Sequence, residues 1–153
     1  MPGADSRLLE AAARSAADCL ILDLEDTVTP DRKPAARALV ADFLRRPARP
    51  GRARAVRVNP VPSPWFAADV AAVAAADALV LPKVESPDEV RTVSSHLRQA
   101  EREAGRREGS VGLLALIETP RGLLAATSIA AADSRVGALL LGHVDLSRAL
   151  GIK

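Results

Sequence analysis

The sequence predicts an α/β fold made of parallel βα units, and three observations carry that prediction. Five short apolar runs punctuate the chain: CLILDLED (Cys19–Asp26), AVRVN (Ala55–Asn59), ALVLPKVE (Ala78–Glu85), LLALIET (Leu113–Thr119) and ALLLGHVD (Ala138–Asp145). Their strand ends fall near positions 24, 58, 82, 117 and 142, with an Ala-, Leu- and Arg-rich stretch of helical character in the intervals, the span of one βα unit each time. Runs such as LVLP and ALLLG lack two-residue alternation, as strands of a parallel sheet buried on both faces do.

The elements follow in order. Asp5 or Ser6 caps a first helix to about Ala17, with Leu8, Leu9 and Ala12 on its apolar face. A strand covers Cys19–Leu24. Thr29-Pro30 reads as an N-cap and first helical position, opening a helix to about Arg46. Pro34 falls within its first turn, where a missing N–H costs little. A basic Pro/Gly loop leads into the strand Ala55–Val58, a rigid NPVPSP loop follows, and a short helix covers about Trp65–Ala75. After the strand Ala78–Leu81, Ser86-Pro87-Asp88-Glu89 has the spacing of a capping box and opens a helix to about Ala104, stopped by Gly105. Gly112–Ile117 is a strand, Thr119-Pro120 opens a helix to about Ala132, Val136–Leu141 is the last strand, and a further helix begins at Asp145.

Composition bounds the function. At 48% hydrophobic and 26% charged, the chain is a globular domain rather than a disordered one. Aromatics are 2%, so the core is built from Ala, Val, Leu and Ile. Arg45–Arg54 holds five Arg and no acid; without aromatic or motif support it reads as a solvated loop, or as a contact to an anionic ligand tail, and no nucleic-acid partner is expected. The single cysteine, Cys19, excludes an internal disulfide and reads as a small buried core residue. No apolar run approaches the roughly 20 residues of a membrane span and the N-terminus lacks a signal-peptide pattern, so a cytoplasmic protein without a membrane partner is expected. No P-loop, G-x-G-x-x-G, H-E-x-x-H or G-x-S-x-G motif is present.

Parallel strands gather whatever follows them at one rim. Here that rim collects Asp23, Glu25, Asp26, Arg57, Asn59, Lys83, Glu85, Glu118 and Asp145. Carboxylates beside an arginine and a lysine suggest a divalent metal and an anionic substrate. Glu118 and Asp145 follow successive strands and suit Mg²⁺, which takes one or two carboxylates and keeps waters; the competing reading is that each caps a helix N-terminus. Arg57, between Val56 and Val58, needs a carboxylate partner or a ligand. It can bridge to Asp23 or Glu25, or hold a substrate carboxylate. Lys83 and Glu85 straddle Val84 and read first as a surface ion pair or cap, with a site role as the alternative. His143, close to Asp145, is a further candidate.

The segments PGADSRLLEAA, ADCLILDLEDTV, VRVNP with SPWF, LVLPKVES, LIETPRGLL and LLLGHVDLSRALG, taken in order, resemble the HpcH/HpaI aldolase and citrate lyase β-subunit superfamily. ILDLEDTV and VLPKVES look closer to its CoA-ester lyase branch, and GHVDLSRALG to its aldolase branch. The resemblance implies an incomplete TIM barrel across residues 1–153, with about strands 2–6 present. It implies carbon–carbon bond cleavage or formation through an enolate. Glu118 and Asp145 would hold Mg²⁺ (or Mn²⁺). Arg57, Glu25 and Asp26 would be catalytic, and Arg57, Asn59 and Lys83 would bind substrate. The substrate would be a CoA ester of a 3-hydroxy acid, such as malyl-, citramalyl- or citryl-CoA. The alternatives are a class II pyruvate aldolase acting on a keto acid, or an inactive self-associating remnant. Aldolase-branch members commonly place a His base where this chain has Asp26, which favours the CoA-ester reading. Full-length relatives are often trimers or hexamers, so a homo-oligomer is expected. A closed barrel takes about 250 residues, so the chain is expected to be a shortened form.

Overall fold

The computed structural model describes residues 1–152. Its sheet has five strands, β1 (Cys19–Asp23), β2 (Ala53–Arg57), β3 (Ala78–Leu81), β4 (Gly112–Ile117) and β5 (Val136–Leu141), all parallel and in sequential order. The register aligns Leu22 with Val56, Val56 with Leu79, and Leu79 with Leu113. These residues face the helices and form the middle of the core with Leu20, Leu81, Ala115 and Ile117. Successive strand residues point to opposite faces, so Ile21, Ala55, Val80 and Leu114 line the other side. There Ala55 and Val80 are buried but stand outside the main cluster.

Cys19 corrects the sequence reading. It is exposed rather than buried, because alternation from Leu20 and Leu22 puts it on the face of Ile21, away from the helices. Residues 1–3 run along the outer edge of β1. Pro2 bridges to Asp23 in parallel, the Asp23 N–H donates to Met1 O at 2.8 Å and the Gly3 N–H to Asp23 O at 2.8 Å. A Cβ on Gly3 would lie 2.7 Å from Asp23 O, so only glycine allows this approach. At the opposite edge, β5 is exposed on both faces, and Leu139 and Leu141 meet solvent.

The helices are α1 (Ser6–Arg14), α2 (Lys33–Arg45), α3 (Phe66–Ala72), α4 (Pro87–Glu103), α5 (Pro120–Leu124), α6 (Ala126–Ala130) and α7 (His143–Ala149). Asp5 caps α1 by accepting the Arg7 and Leu8 amides; Leu9 is buried, whereas Leu8 faces solvent. The helix expected from Pro30 begins instead as a 3-10 turn over Pro30–Arg32. Pro34 has no N–H to give the Pro30 carbonyl, so the Lys33 amide takes that acceptor one residue early. The capping box on α4 forms as the spacing predicts: Ser86 Oγ accepts the Glu89 amide and Glu89 accepts the Ser86 amide. Gly105, at φ 65°, ends that helix. The helix expected over residues 120–132 breaks at Ala125 (φ −90°, ψ 0°) into α5 and α6. α7 starts two residues before the expected Asp145, which moves that carboxylate into its first turn.

A buried ion pair joins α4 to the start of β5. Glu101, fully buried, accepts Arg135 Nη1 at 2.8 Å and Nη2 at 2.7 Å, and takes the Gly109 and Val111 amides at 2.9 and 2.8 Å. Burial raises the Glu101 pKa, and these donors more than reverse it, leaving the group at about 2.

Candidate active site

Five segments deliver polar side chains to the C-terminal ends of the strands. β1 delivers Asp23 and, just beyond it, Glu25 and Asp26; β2 ends on Arg57; β3 is followed by Lys83; β4 by Glu118; and α7, after β5, carries Asp145. Asp26, Lys83, Glu118, Asp145 and Arg148 line one cavity of about 470 Å³. A second cavity of about 390 Å³ shares Asp26 with it and extends past Glu25 to Lys33, Asn59 and Trp65.

Arg57 is the hinge of the acidic loop. Its Nε and Nη2 donate to the two Asp23 carboxylate oxygens at 2.7 and 2.6 Å, a bidentate fork. The register sets this up, because Asp23 and Arg57 are direct partners across β1 and β2. Asp23 also accepts the Thr27 hydroxyl at 2.6 Å and the Glu25 amide at 2.9 Å. Burial pushes the Asp23 pKa up, and the Arg57 fork, the Thr27 hydroxyl and the Glu25 amide together hold it below the ordinary value. The remaining Arg57 nitrogen, Nη1, lies 3.0 Å from Glu25 Oε2 and 3.4 Å from Asp26 Oδ2. Arg57 therefore bridges to both carboxylates that its position in the sequence made available.

Lys83 does not pair with Glu85. It reaches past β2 to Glu25 Oε1 at 2.8 Å, with Asp26 at 3.6 Å. Burial lowers the Lys83 pKa, but the hydrogen bond and charge of Glu25, with Asp26 and Glu118, raise it overall. Its backbone sits at φ 52°, the sole non-glycine residue at positive φ among the described residues. In that conformation its N–H donates to Glu118 Oε2 at 3.1 Å. Glu25 is buried, and its Oε2 receives no hydrogen bond. Burial raises its pKa, outweighing the bond from Lys83 and the charge of Arg57.

Glu118 is the least compensated group at the rim. It is 6% exposed, and no ion pair to it forms among the described residues. Burial raises its pKa, against the Lys83 amide and charge, and the negative charges of Glu25 and Asp145 add to the rise. It does not cap α5; Thr119 does, accepting the Gly122 amide at 3.1 Å. Gly142, which the sequence did not mark, leaves room for it: a Cβ there would lie 2.4 Å from Glu118 Cγ and 2.6 Å from Oε1. Asp145 pairs with Arg148 at 3.2 Å, its one ion pair among the described residues. No cluster of three or more His, Cys, Asp or Glu side chains suited to a metal ion forms among the described residues. The donor set is two carboxylates beside a cavity, which suits an ion that keeps waters, such as Mg²⁺, better than one that requires four protein ligands.

Asn59 stands beneath the rim. It is 2% exposed, and its Nδ2 donates to Leu24 O at 3.0 Å and to Asp69 Oδ2 at 2.6 Å. Lys33, unmarked in the sequence, donates Nζ to Leu24 O and Glu25 O at 2.9 and 3.0 Å, and lies 5.0 Å from the centre of the Trp65 ring. Burial lowers its pKa. The two side chains anchor the acidic loop from below. His143 is exposed at the start of α7 and does not line the Glu118 cavity.

Sequential parallel strands with the candidate site's polar groups at their C-terminal ends form one sector of a TIM-barrel fold. The chain belongs to the HpcH/HpaI aldolase/citrate lyase family, which it matches over residues 1–153. It is 36% identical over 152 residues to a citrate lyase subunit beta of Escherichia coli (strain K12), covering 98% of this chain and 50% of that one. It is 37% identical over 153 residues to a (3S)-malyl-CoA thioesterase of Cereibacter sphaeroides, covering 99% and 50%. A solved citrate lyase structure from Burkholderia xenovorans superposes with a TM-score of 0.81 at 26% identity, covering 95% of this chain and 46% of that one. The chain thus spans about half the length of the curated relatives it matches. No described helix is long and apolar enough to cross a membrane.

Proposed function

We propose that this chain carries the metal and enolate half-site of a Mg²⁺-dependent carbon–carbon lyase acting on a CoA ester of a 3-hydroxy acid. The single observation behind this reading is Glu118, a buried carboxylate with no cationic partner among the described residues, set beside Asp145 on a cavity that Lys83 also lines. A buried unpaired carboxylate is costly, and a divalent ion removes that cost. The relatives named citrate lyase subunit beta and (3S)-malyl-CoA thioesterase support the CoA-ester class.

In this reading Glu118 and Asp145 hold the ion, which when bound supplies a positive charge for oxygen atoms of the substrate. Cleavage removes the proton of the 3-hydroxyl, breaks the C2–C3 bond to leave a carbonyl at C3, and delivers the electron pair to the thioester as an enolate, which takes up a proton at C2. Arg57 Nη1 and Lys83 Nζ face the rim and meet the substrate's carboxylate and developing oxyanion, a preorganised electrostatic contribution. Glu25 and Asp26 hold those two cations in place. Burial raises the Glu25 pKa, which makes its carboxylate a stronger acceptor for the hydroxyl proton than an exposed glutamate. Asn59 acts by fixing the Leu24 carbonyl, so that the acidic loop keeps its position. The exposed Leu139 and Leu141 of β5 support self-association of the chain, and its lone cysteine suits the cytoplasm.

Calorimetric titration of Mg²⁺ tests the reading. Saturable binding that is lost in both Glu118→Gln and Asp145→Asn is expected, and equal affinity in wild type and both variants refutes it. Cleavage of malyl-CoA rather than a free 4-hydroxy-2-keto acid separates the lyase from the aldolase.

A further inference from the structure

The opposite end of the sheet carries a second concentration of charge. Arg46, Arg49, Arg52 and Arg54 line a cavity of about 260 Å³ that Leu20 and Phe43 wall on the apolar side. Leu20 and Arg54 are register partners near the N-terminal ends of β1 and β2, whereas Asp23 and Arg57 are partners at the other ends. Three residues of strand, about 10 Å, separate this cavity from the rim.

These arginines are not simply a solvated loop. Arg52 is 8% exposed and has no carboxylate partner among the described residues. Its Nε donates to Ala17 O at 2.9 Å, its Nη1 to Ala13 O at 2.9 Å and Ala12 O at 3.2 Å, and its Nη2 to Ser15 O. It closes the C-terminal end of α1 and forms the charged floor of the cavity. Arg49 gives one bond, Nη1 to Ser15 O at 3.2 Å, and Arg54 gives one, Nη1 to Arg46 O at 2.9 Å. Arg54 Nε is buried with no acceptor. Among the described residues the one carboxylate in ion-pair contact with any of the four is Glu10, on Arg46. Asp77 takes only the Arg54 backbone amide, at 2.7 Å. Four positive charges thus face one carboxylate and the α1 C-terminus, which supplies roughly half a negative charge. The imbalance is that of an anion site, and several guanidinium forks around one cavity match the oxygens of a phosphate.

We propose that this cavity binds a phosphorylated small molecule, its phosphate on Arg46, Arg49 and Arg54 and its apolar body against Phe43 and Leu20. The site is independent of the rim and of the lyase reading.

The test is a calorimetric titration of phenyl phosphate into the 153-residue chain at low and moderate salt, with inorganic phosphate alongside. Saturable binding is expected, tighter for phenyl phosphate than for inorganic phosphate, weakened at least tenfold in Arg46→Gln/Arg49→Gln and unchanged in Lys83→Met. Both replaced arginines are exposed. If the double variant melts lower, Arg49→Gln alone carries the comparison. Equal binding by the arginine variants, loss of binding in Lys83→Met, or no saturable binding by the folded wild type each overturns the proposal. Equal affinity for the two probes overturns the role of Phe43 and Leu20.

Discussion

Replacing Gly142 with alanine tests the metal half-site without touching a candidate ligand. The added Cβ would stand 2.4 Å from Glu118 Cγ, 2.6 Å from Oε1 and 2.9 Å from Cδ. Ordinary carbon–carbon contact begins near 3.5 Å, so the carboxylate must retreat by about 1 Å. Gly142 itself sits at φ −86°, which alanine accepts, so the whole effect is steric and falls on Glu118. A retreat of that size breaks the 3.1 Å bond from the Lys83 amide. Overpacking of this kind costs about 1–3 kcal/mol. If the displacement falls on the metal site, that range corresponds to a loss of about 5- to 150-fold in Mg²⁺ affinity. Calorimetry of Mg²⁺ binding with a parallel urea melt separates lost affinity from lost stability. An alanine variant with wild-type Mg²⁺ affinity and wild-type stability would refute the placement of Glu118 against Gly142 and its role in binding the ion.

Other outcomes follow from the same structure. Mg²⁺ affinity should fall as pH is lowered, starting above the ordinary glutamate range. The raised pKa of Glu118 lets protons compete there, and titrations between pH 5 and 8 would read this. Glu101 has the opposite sign. Its pKa lies at about 2 against an ordinary 4.5, so its contribution is present above the unfolded value and disappears as pH falls toward 2. The shift corresponds to about 3 kcal/mol. Urea melts at pH 7 and pH 3 should show the wild type losing more stability than Glu101→Gln. Lys83→Gly should be more stable than Lys83→Ala by about 1 kcal/mol, because both lose the Glu25 contact but only alanine keeps the cost of φ 52°. Paired chemical denaturation checks that order. Arg57→Lys should destabilise the chain, since an ammonium group cannot reproduce the two-pronged bond to Asp23. A melting temperature equal to wild type would contradict it.

The sequence by itself determined the fold class, because parallel strands buried under helices write themselves as apolar runs at βα spacing. It placed Glu25, Asp26, Arg57, Lys83, Glu118 and Asp145 at one rim, because a residue that ends a strand keeps that place whatever packs around it. Ser86 with Glu89, and Thr119 with Pro120, were legible because caps are local. Partnership was not local. Asp23 rather than Glu25 receives the Arg57 fork because the β1–β2 register aligns them, and Lys83 finds Glu25 rather than Glu85 because the sheet brings distant loops together. Cys19 meets solvent because its face of β1 carries no helix. Gly142 gives no pattern in the sequence, since its role is the empty space beside Glu118. Arg52, read as part of a solvated loop, is buried because α1 ends above it. Each of these depends on which surfaces meet after the strands align, and no local pattern encodes a contact between segments that only the assembled sheet makes neighbours.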